Sequence, residues 1–400
     1  MTHYKTILPA PVDAGAQATT LGVMGGGQLG RMFVHAAQRL GYFTAVLDPD
    51  VASPAGLVSH VHVQTDYLDE QGLAQMLRRC AAITVEFENV PAGALYTLGA
   101  HLPAAPDFEA VSTCQDRARE KQHFVACGVP CAPHALIETT EQLAAVPDAL
   151  LPGILKTARL GYDGKGQIRV ATREALAAAW QTLAQAPCVL EQLLPLVFEI
   201  SVVLARSAHG EIVTLPVQRN LHRDGILAVT TVPAPGVSEA LAGQALDAAR
   251  RIAEGLRYVG VLCVEFFVLD DGLGGLQLVA NEMAPRPHNS GHHSIDACDV
   301  SQFELQVRCM TGLPLPAPRQ HSAAVMLNLL GDLWFDPQGR ERTPDWVGVL
   351  ALPGAHLHLY GKAGARPGRK MGHLTLTAAT PEAAQDAALQ AAALLGIAPF

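Results

Sequence analysis

The apolar positions of this chain change their spacing twice, and each change marks a different kind of structure. Over the first hundred residues short apolar runs alternate with helical spacing. "TTLGVM" reads as a buried strand, "QLGRMFVHAAQRLG" as a helix closed by Gly41, and "YFTAVLD" as the next strand. "DEQGLAQMLRRC" reads as a helix and "AAITVEFENV" as a strand stopped at Pro91. This βαβ alternation implies a parallel sheet with helices on its faces. "TCQDRAREKQHFVACG" then predicts one amphipathic helix beginning near Thr113 or Cys114. Strand patterns follow, from "GILKTA" through "FEISVVLAR", "GVLCVEFFVLD" and "LQLVANEMA", separated by turns such as "SAHGE" and "DDGLGG". Two helices, "TREALAAAWQTLAQA" and "SEALAGQALDAARRIAEGL", interrupt them. That is an α+β region with a large antiparallel sheet. The prolines of "TGLPLPAPRQ" mark a linker, and short strands with an Ala-rich helix close the chain.

The organisation expected is therefore a flexible extension over 1–18, a Rossmann-like α/β domain over 19–112, a larger α+β domain over 113–312 and a small β-rich domain over 313–400. The first eighteen residues lack a signal peptide's basic start and apolar core. No run of about twenty apolar residues occurs, and a cytoplasmic location is expected. Composition narrows the partners. The 400 residues are 49% hydrophobic and carry a net charge of −9, which speaks against wrapping nucleic acid. The eight cysteines show no C-x-x-C pair, as in a reduced protein.

Two glycine loops carry candidate chemistry. Gly25, Gly27 and Gly30 have G-x-G-x-x-G spacing, and Asp48 ends the next strand, as in a dinucleotide-binding dehydrogenase. The loop could hold NAD or another phosphate. In the second, "KTARLGYDGKGQIRV", Gly161, Gly164 and Gly166 surround Lys165 between two strands, with Lys156 ahead of them. Glycines let backbone N–H groups turn toward an anion, and this is not a Walker loop. Lys156, ending a buried strand, needs a partner, and phosphate would serve.

Glu265 and Glu282 fall opposite one another if their hairpin pairs symmetrically about its turn. Two carboxylates about 5 Å apart repel unless a cation or proton bridges them, and oxygen ligands suit Mg²⁺. "NEMAPRPHNSGHHSID" offers Arg286, His288, Asn289, Ser290, His292 and His293 from irregular backbone, a polar substrate site rather than a zinc site. "GKAGARPGRKMGH" is a basic hairpin bearing Lys362, Arg366, Arg369 and Lys370, suited to an anion. Glu86 and Glu88 follow a first-domain strand, where ligands of open α/β sheets gather. Glu199 and His222 read alone as structural.

Together "GGGQLGRM", "EFEN", "GYDGKGQ", "VEFF", "NEMAPRPHNSGH", "SQFE" and "GRKMGH" resemble, in order and from about Leu21 to the C-terminus, the 5-(carboxyamino)imidazole ribonucleotide synthases of the ATP-grasp superfamily. The resemblance implies an ATP-grasp fold between a pre-ATP-grasp domain and a small C-terminal domain. It also implies ATP- and bicarbonate-dependent carboxylation of 5-aminoimidazole ribonucleotide through carboxyphosphate, in a homodimer. By that likeness Arg117, Lys156 and the loop Gly161, Tyr162, Asp163, Gly164, Lys165, Gly166 and Gln167 contact ATP phosphates. Glu191, Gln192, Leu193 and Leu194 meet the adenine, Glu199 the ribose, with His222 nearby. Glu265 and Glu282 bind Mg²⁺ or Mn²⁺, and Asn281 lies at the nucleotide. Arg286, His288 and Asn289 stand where bicarbonate and the aminoimidazole meet. Gly27, Gln28, Glu86, Glu88, Tyr162, Asp163, Lys362, Arg369 and Lys370 hold the ribonucleotide, the Gly25–Gln28 loop and the basic hairpin taking its phosphate. His293 departs from the pattern, which has an aromatic residue there. A nicotinamide dehydrogenase, a formate-using transformylase and a regulatory protein on an inactive scaffold are the other readings.

Overall fold

Residues Thr20–Met24 are buried along their whole length, as a strand covered on both faces must be. They form β1 in the computed structural model, which describes residues 6–9, 18–161, 166–270 and 272–400. The first sheet adds β2 (Phe43–Leu47), β3 (Val61–Val63) and β4 (Cys80–Val85), all parallel, in the order β3-β2-β1-β4. Helix α1 (Gln28–Arg39) packs on one face through Phe33 and Ala37; α2 (Glu70–Arg79) and α3 (Ala92–Gly99) cover the other through Met76 and Leu95. The expected single helix from Thr113 is two. Helix α4 (Phe108–Cys114) ends there, and α5 (Arg117–Ala126) starts afresh because Asp116 caps it, accepting from Ala118 and Arg119 N–H.

A four-stranded antiparallel sheet follows, ordered β5-β8-β6-β7. It comprises β5 (His134–Ile137), β6 (Gly153–Thr157), β7 (Gln167–Val170) and β8 (Cys188–Gln192), with α6 (Thr140–Ala144) and α7 (Arg173–Thr182) between strands. The largest sheet starts with β9 (Leu196–Arg206), β10 (Ile212–Thr214), β11 (Gln218–Arg223) and β12 (Ile226–Val232). After α8 (Glu239–Gly255) it adds β13 (Gly260–Asp270) and β14 (Leu276–Ala284). Helices α9 (Ser294–Ala297) and α10 (Gln302–Thr311) precede β15 (Ala323–Leu330). Then come α11 (Trp346–Leu350), β16 (Ala355–Leu359), β17 (Lys370–Ala378) and α12 (Pro381–Leu395). The C-terminal strands do not make a sheet of their own. β15 pairs antiparallel with β12, so one sheet runs β14-β13-β9-β11-β12-β15-β17-β16.

The expectation of a loose N-terminal extension is corrected over residues 6–9. Ile7 N–H donates to Thr311 O at 2.8 Å, and Tyr42 OH donates to Ile7 O at 2.7 Å. The segment is thereby tied to α10 and to the start of β2.

Gln306 of α10 ties the first sheet to the largest one. Its Oε1 accepts from Val261 N–H at 2.6 Å, and its Nε2 donates to Thr84 Oγ1 at 2.9 Å and Ala105 O at 2.7 Å. Gln306→Leu strands the Val261 N–H away from water. The expected loss is about 1–3 kcal/mol, read as a lower urea midpoint at unchanged slope. An unmoved midpoint would remove Gln306 as the clamp.

Candidate functional site

The register of three strands builds the centre of the site. Glu265 of β13 pairs with Glu282 of β14 on one side and with Ser201 of β9 on the other, and Ser201 pairs with Gln218 of β11. The opposition expected for the two glutamates is present, and it depends on an irregularity. Phe266 pairs with Ala280, so Asn281 is an extra residue that brings Glu282 back opposite Glu265. Burial raises the Glu265 carboxyl above its usual range; His222 opposes this, and Glu282 and Glu199 add to it. Glu265 Oε1 and Asn281 Oδ1 are buried and make no hydrogen bond. Two facing carboxylates, one with an orphaned oxygen, and an orphaned amide oxygen beside them suit a hard divalent cation.

Cations border this pair. Arg117 Nη1 lies 3.3 Å from Glu282 Oε2. His222 Nδ1 lies 2.6 Å from Glu199 Oε2. Burial disfavours the His222 charge, but Glu199 and Glu265 overcome it and lift the imidazole to about 9, so it is a cation at neutral pH. Glu199 and His222, which alone read as structural, thus belong to the same charged patch.

Lys156 has a partner within the protein. Its Nζ lies 2.9 Å from Glu191 Oε2, while Lys121 Nζ lies 3.2 Å from Glu191 Oε1. Burial works against the Glu191 charge, yet the two lysines hold its carboxyl down at about 2. The carboxylate therefore faces the lysines, and the connection Gln192, Leu193 and Leu194 runs out to the surface beside it, anchored by Leu193 N–H to Pro152 O at 2.9 Å. Lys121 and Glu120 were missed by the sequence reading. Their signal was available: Arg117, Glu120 and Lys121 share one face of α5. Glu120, pushed up to about 7 by burial, accepts from Met283 N–H at 2.7 Å and so ties α5 to β14 beside Glu282. Of the second glycine loop, Tyr162, Asp163, Gly164 and Lys165 lie outside the described residues. Gly161 and Gly166 flank them; Gly166 has φ +71°, and Gln167 opens β7.

The first glycine loop has an occupant other than the phosphate expected. Glu86 Oε1 accepts from Gly27 N–H at 2.8 Å and its Oε2 from Gly30 N–H at 3.0 Å. Asp48 Oδ2 accepts from Gly26 N–H and from Tyr67 OH, both at 2.7 Å. A helix N-terminus favours an anion, and here a carboxylate of the protein fills that place. The Gly27 and Gly30 N–H groups are thereby engaged within the protein. The dehydrogenase reading loses its ribose partner, since Asp48 is engaged on the loop itself. Gln28 opens α1 beside Glu86.

Glu88 crosses to the large sheet, its Oε2 meeting Arg286 Nε at 2.5 Å. His288 Nε2 lies 3.7 Å from Glu265 Oε1. Burial and then the charges of Arg286 and Lys370 hold its imidazole well below the usual range, so it is neutral. Asn289 is buried next to it, with Nδ2 unbonded. The basic hairpin reaches the same place. Lys370 acts on His288, and Lys362 helps to lower the Glu86 carboxyl, which burial raises. Lys362 Nζ donates to Lys370 O at 2.9 Å, and Arg369 Nη1 donates to Ala363 O at 2.6 Å and Gly364 O at 2.8 Å, so the hairpin laces itself. His292 and His293 are buried core groups. Nearby, Asp296, His358 and His373 bring candidate ligand atoms within 4.8 Å of one another. The His358 and His373 rings stack at 11°, which sets their lone pairs side by side rather than converging on an ion. Asp296 Oδ2 instead meets His358 Nε2 at 2.8 Å, fastening α9 to β16.

Comparison with known proteins gives a consistent result. Residues 18–115 match the ribonucleotide synthetase pre-ATP-grasp domain, 122–303 the ATP-grasp domain and 324–387 the phosphoribosylaminoimidazole carboxylase C-terminal domain. The N5-carboxyaminoimidazole ribonucleotide synthase of Brucella melitensis is 44% identical over 89% of the chain and 96% of the relative. The N5-carboxyaminoimidazole ribonucleotide synthetase structure from Thermus thermophilus superposes with a TM-score of 0.85 at 39% identity, over 95% of this chain and 99% of that one. The Aspergillus clavatus synthase, solved with ADP and 5-aminoimidazole ribonucleotide, gives 0.84 at 31% identity, over 94% and 98%.

The lysine-clamped Glu191 makes a pH-dependent contribution to stability. Its folded pKa of about 2 lies below the ordinary 4.5. The stabilisation is complete above pH 4.5 and is lost as pH falls toward 2. Glu191→Gln leaves two buried ammonium groups unpaired and should cost about 3–5 kcal/mol at pH 7. Denaturant unfolding at a series of pH values should show the gap to wild type narrowing between pH 4.5 and 2. A gap constant with pH would refute the ion-pair account.

Proposed function

The chain belongs to the N5-carboxyaminoimidazole ribonucleotide synthases, ATP-grasp ligases that use ATP to make N5-carboxyaminoimidazole ribonucleotide from 5-aminoimidazole ribonucleotide in purine biosynthesis, and on that premise we propose how its residues divide the work. The carboxyl source is bicarbonate. Its oxygen takes the γ-phosphoryl group as ADP leaves, giving carboxyphosphate. The ribonucleotide's exocyclic nitrogen then attacks the carboxyl carbon, phosphate departs and the nitrogen loses a proton.

The observation that carries this reading is the opposed pair Glu265 and Glu282, with a buried orphan oxygen, among Arg117, Lys156 and Arg286. These glutamates, with Asn281 beside them, would hold Mg²⁺ or Mn²⁺, which would offset phosphate charge. Arg117, Lys156 and the loop from Gly161 to Gln167 receive the ATP phosphates. Lys156 then exchanges part of its contact with Glu191 for phosphate. The Glu191 carboxylate is taken by lysines, so backbone at 191–194 meets the adenine; Glu199, paired with His222, meets the ribose. Arg286 is held by Glu88, and with His288 and Asn289 it forms the seat of bicarbonate. Glu86 and Gln28 at the first loop, with Tyr162 and Asp163, hold the ribonucleotide's sugar and base. Lys362, Arg369 and Lys370 take its phosphate, because the Gly27 and Gly30 N–H groups are occupied. Among the described residues no helix is long and apolar enough to cross a membrane. A cytoplasmic homodimer completes the proposal, and sedimentation at the 42.3 kDa of one chain would refute the dimer.

Phosphate release from ATP should require both bicarbonate and the ribonucleotide. Release indifferent to the ribonucleotide, or supported by formate in place of bicarbonate, would overturn the reading. Glu282→Ala should lower turnover by 10³-fold or more with an unchanged melting temperature; near-normal turnover would sink the metal assignment. Lys370→Ala should raise the KM for the ribonucleotide roughly tenfold or more, the worth of a charged hydrogen bond, and leave the KM for ATP alone. An equal rise in both would place Lys370 elsewhere.

A further inference from the structure

Behind His288 runs a chain of buried hydrogen bonds on the strands next to Glu265 and Glu199. His288 Nδ1 accepts from the Ser290 backbone N–H at 3.3 Å, and the Ser290 hydroxyl lies 3.0 Å from the same nitrogen. Ser290 Oγ is 2.8 Å from Ser201 Oγ. Ser201 Oγ accepts from Asn220 Nδ2 at 2.9 Å and lies 3.0 Å from Gln218 Oε1. Thr230 Oγ1 donates to Asn220 Oδ1 at 2.9 Å, which settles how the amide points. Gln218 Nε2 donates to Pro216 O, which leaves Oε1 an acceptor. Ser201, Gln218, Thr230 and Ser290 have no solvent exposure.

The Ser290 backbone N–H can only donate, so His288 Nδ1 meets it with a lone pair. Ser201 Oγ donates to Ser290 Oγ at 2.8 Å. A hydroxyl has one proton to give, and the Ser290 proton is therefore left to turn to Nδ1 as well. A proton on Nδ1 would oppose two N–H and O–H groups aimed at it. We propose that Ser290, backed by Ser201, Asn220 and Thr230, is a positioning residue that holds His288 in the tautomer with its proton on Nε2. The imidazole then offers a donor, not a lone pair, to the cleft beside Glu265. Resting on the bicarbonate seat proposed above, this makes His288 a hydrogen-bond donor to the anionic oxygens of bicarbonate and carboxyphosphate, where developing charge is stabilised. The proton lost by the attacking nitrogen goes to another acceptor.

The tautomer is read first in ligand-free protein, by ¹⁵N NMR with labelled histidine, the His288 signals being identified by their loss in His288→Asn. The expected spectrum shows Nε2 protonated and Nδ1 bare; a protonated Nδ1 overturns the proposal, and this arm needs no serine variant to fold. Ser290→Ala should give a mixture of tautomers and a kcat about 10–100-fold lower, with the KM for ATP and the melting temperature unchanged. Ser290→Cys, which keeps a weak donor, should recover part of the loss. His288→Gln, whose amide N–H reaches the Nε2 position, should keep measurable turnover that His288→Asn lacks. A wild-type kcat in Ser290→Ala, or a dead His288→Gln, counts against it. If the tautomer is as expected but phosphate release ignores the ribonucleotide, the functional reading fails and the tautomer assignment stands.

Discussion

Two carboxylates held face to face across the β13–β14 hairpin set the terms for everything around them. At that separation and an effective dielectric near 20, their repulsion is on the order of 3–4 kcal/mol. A fold does not keep such a pair for stability. The neighbours offset it: Arg117 leans on Glu282, a protonated His222 is held by Glu199 within the field of Glu265, and α5 is fastened to β14 through Glu120. Concentrated, partly balanced charge of this kind is the mark of a functional site.

The same constraint explains how three sheets meet. The residues of the proposed site come from separate parts of the chain: Glu86 and Glu88 from beyond β4, Lys156 and Glu191 from the small antiparallel sheet, Lys370 from β17. Polar contacts hold several of them in place. Arg286 takes Glu88, Lys121 takes Glu191, and Gln306 joins the first sheet to the third. Pairing of β12 with β15 carries the C-terminal hairpin to the site as part of one continuous sheet. Such contacts are costly to leave half made, so the site is complete only when the chain is wholly folded.

Much of this was legible beforehand for plain reasons. Period-2 and helical spacing located most of the longer strands and helices but not β3, β5, β11, α3 or α10, and charged or glycine-rich motifs marked Lys156, Glu265, Glu282, Arg286, His288 and the basic hairpin. What misled was local likeness. The first loop has a dinucleotide fingerprint because a strand enters a helix through close-approach glycines; the spacing does not say which anion caps it. Nor does an apolar-polar count show that Asp116 starts a new helix.

Sequence alone determined the kinds of element, the loops that bear chemistry and the family, because periodicity and motif order are properties of neighbouring residues. Tertiary structure decided who meets whom. Glu86, not a phosphate, sits on the Gly27 and Gly30 N–H groups, and Lys121 shares Glu191 with Lys156. The extra residue Asn281 returns Glu282 to its place opposite Glu265, where an unbroken ladder would have set Asn281. A one-residue change of register moves a side chain to the other face of a sheet. That choice is made by packing among distant strands, and no short stretch of the chain contains it.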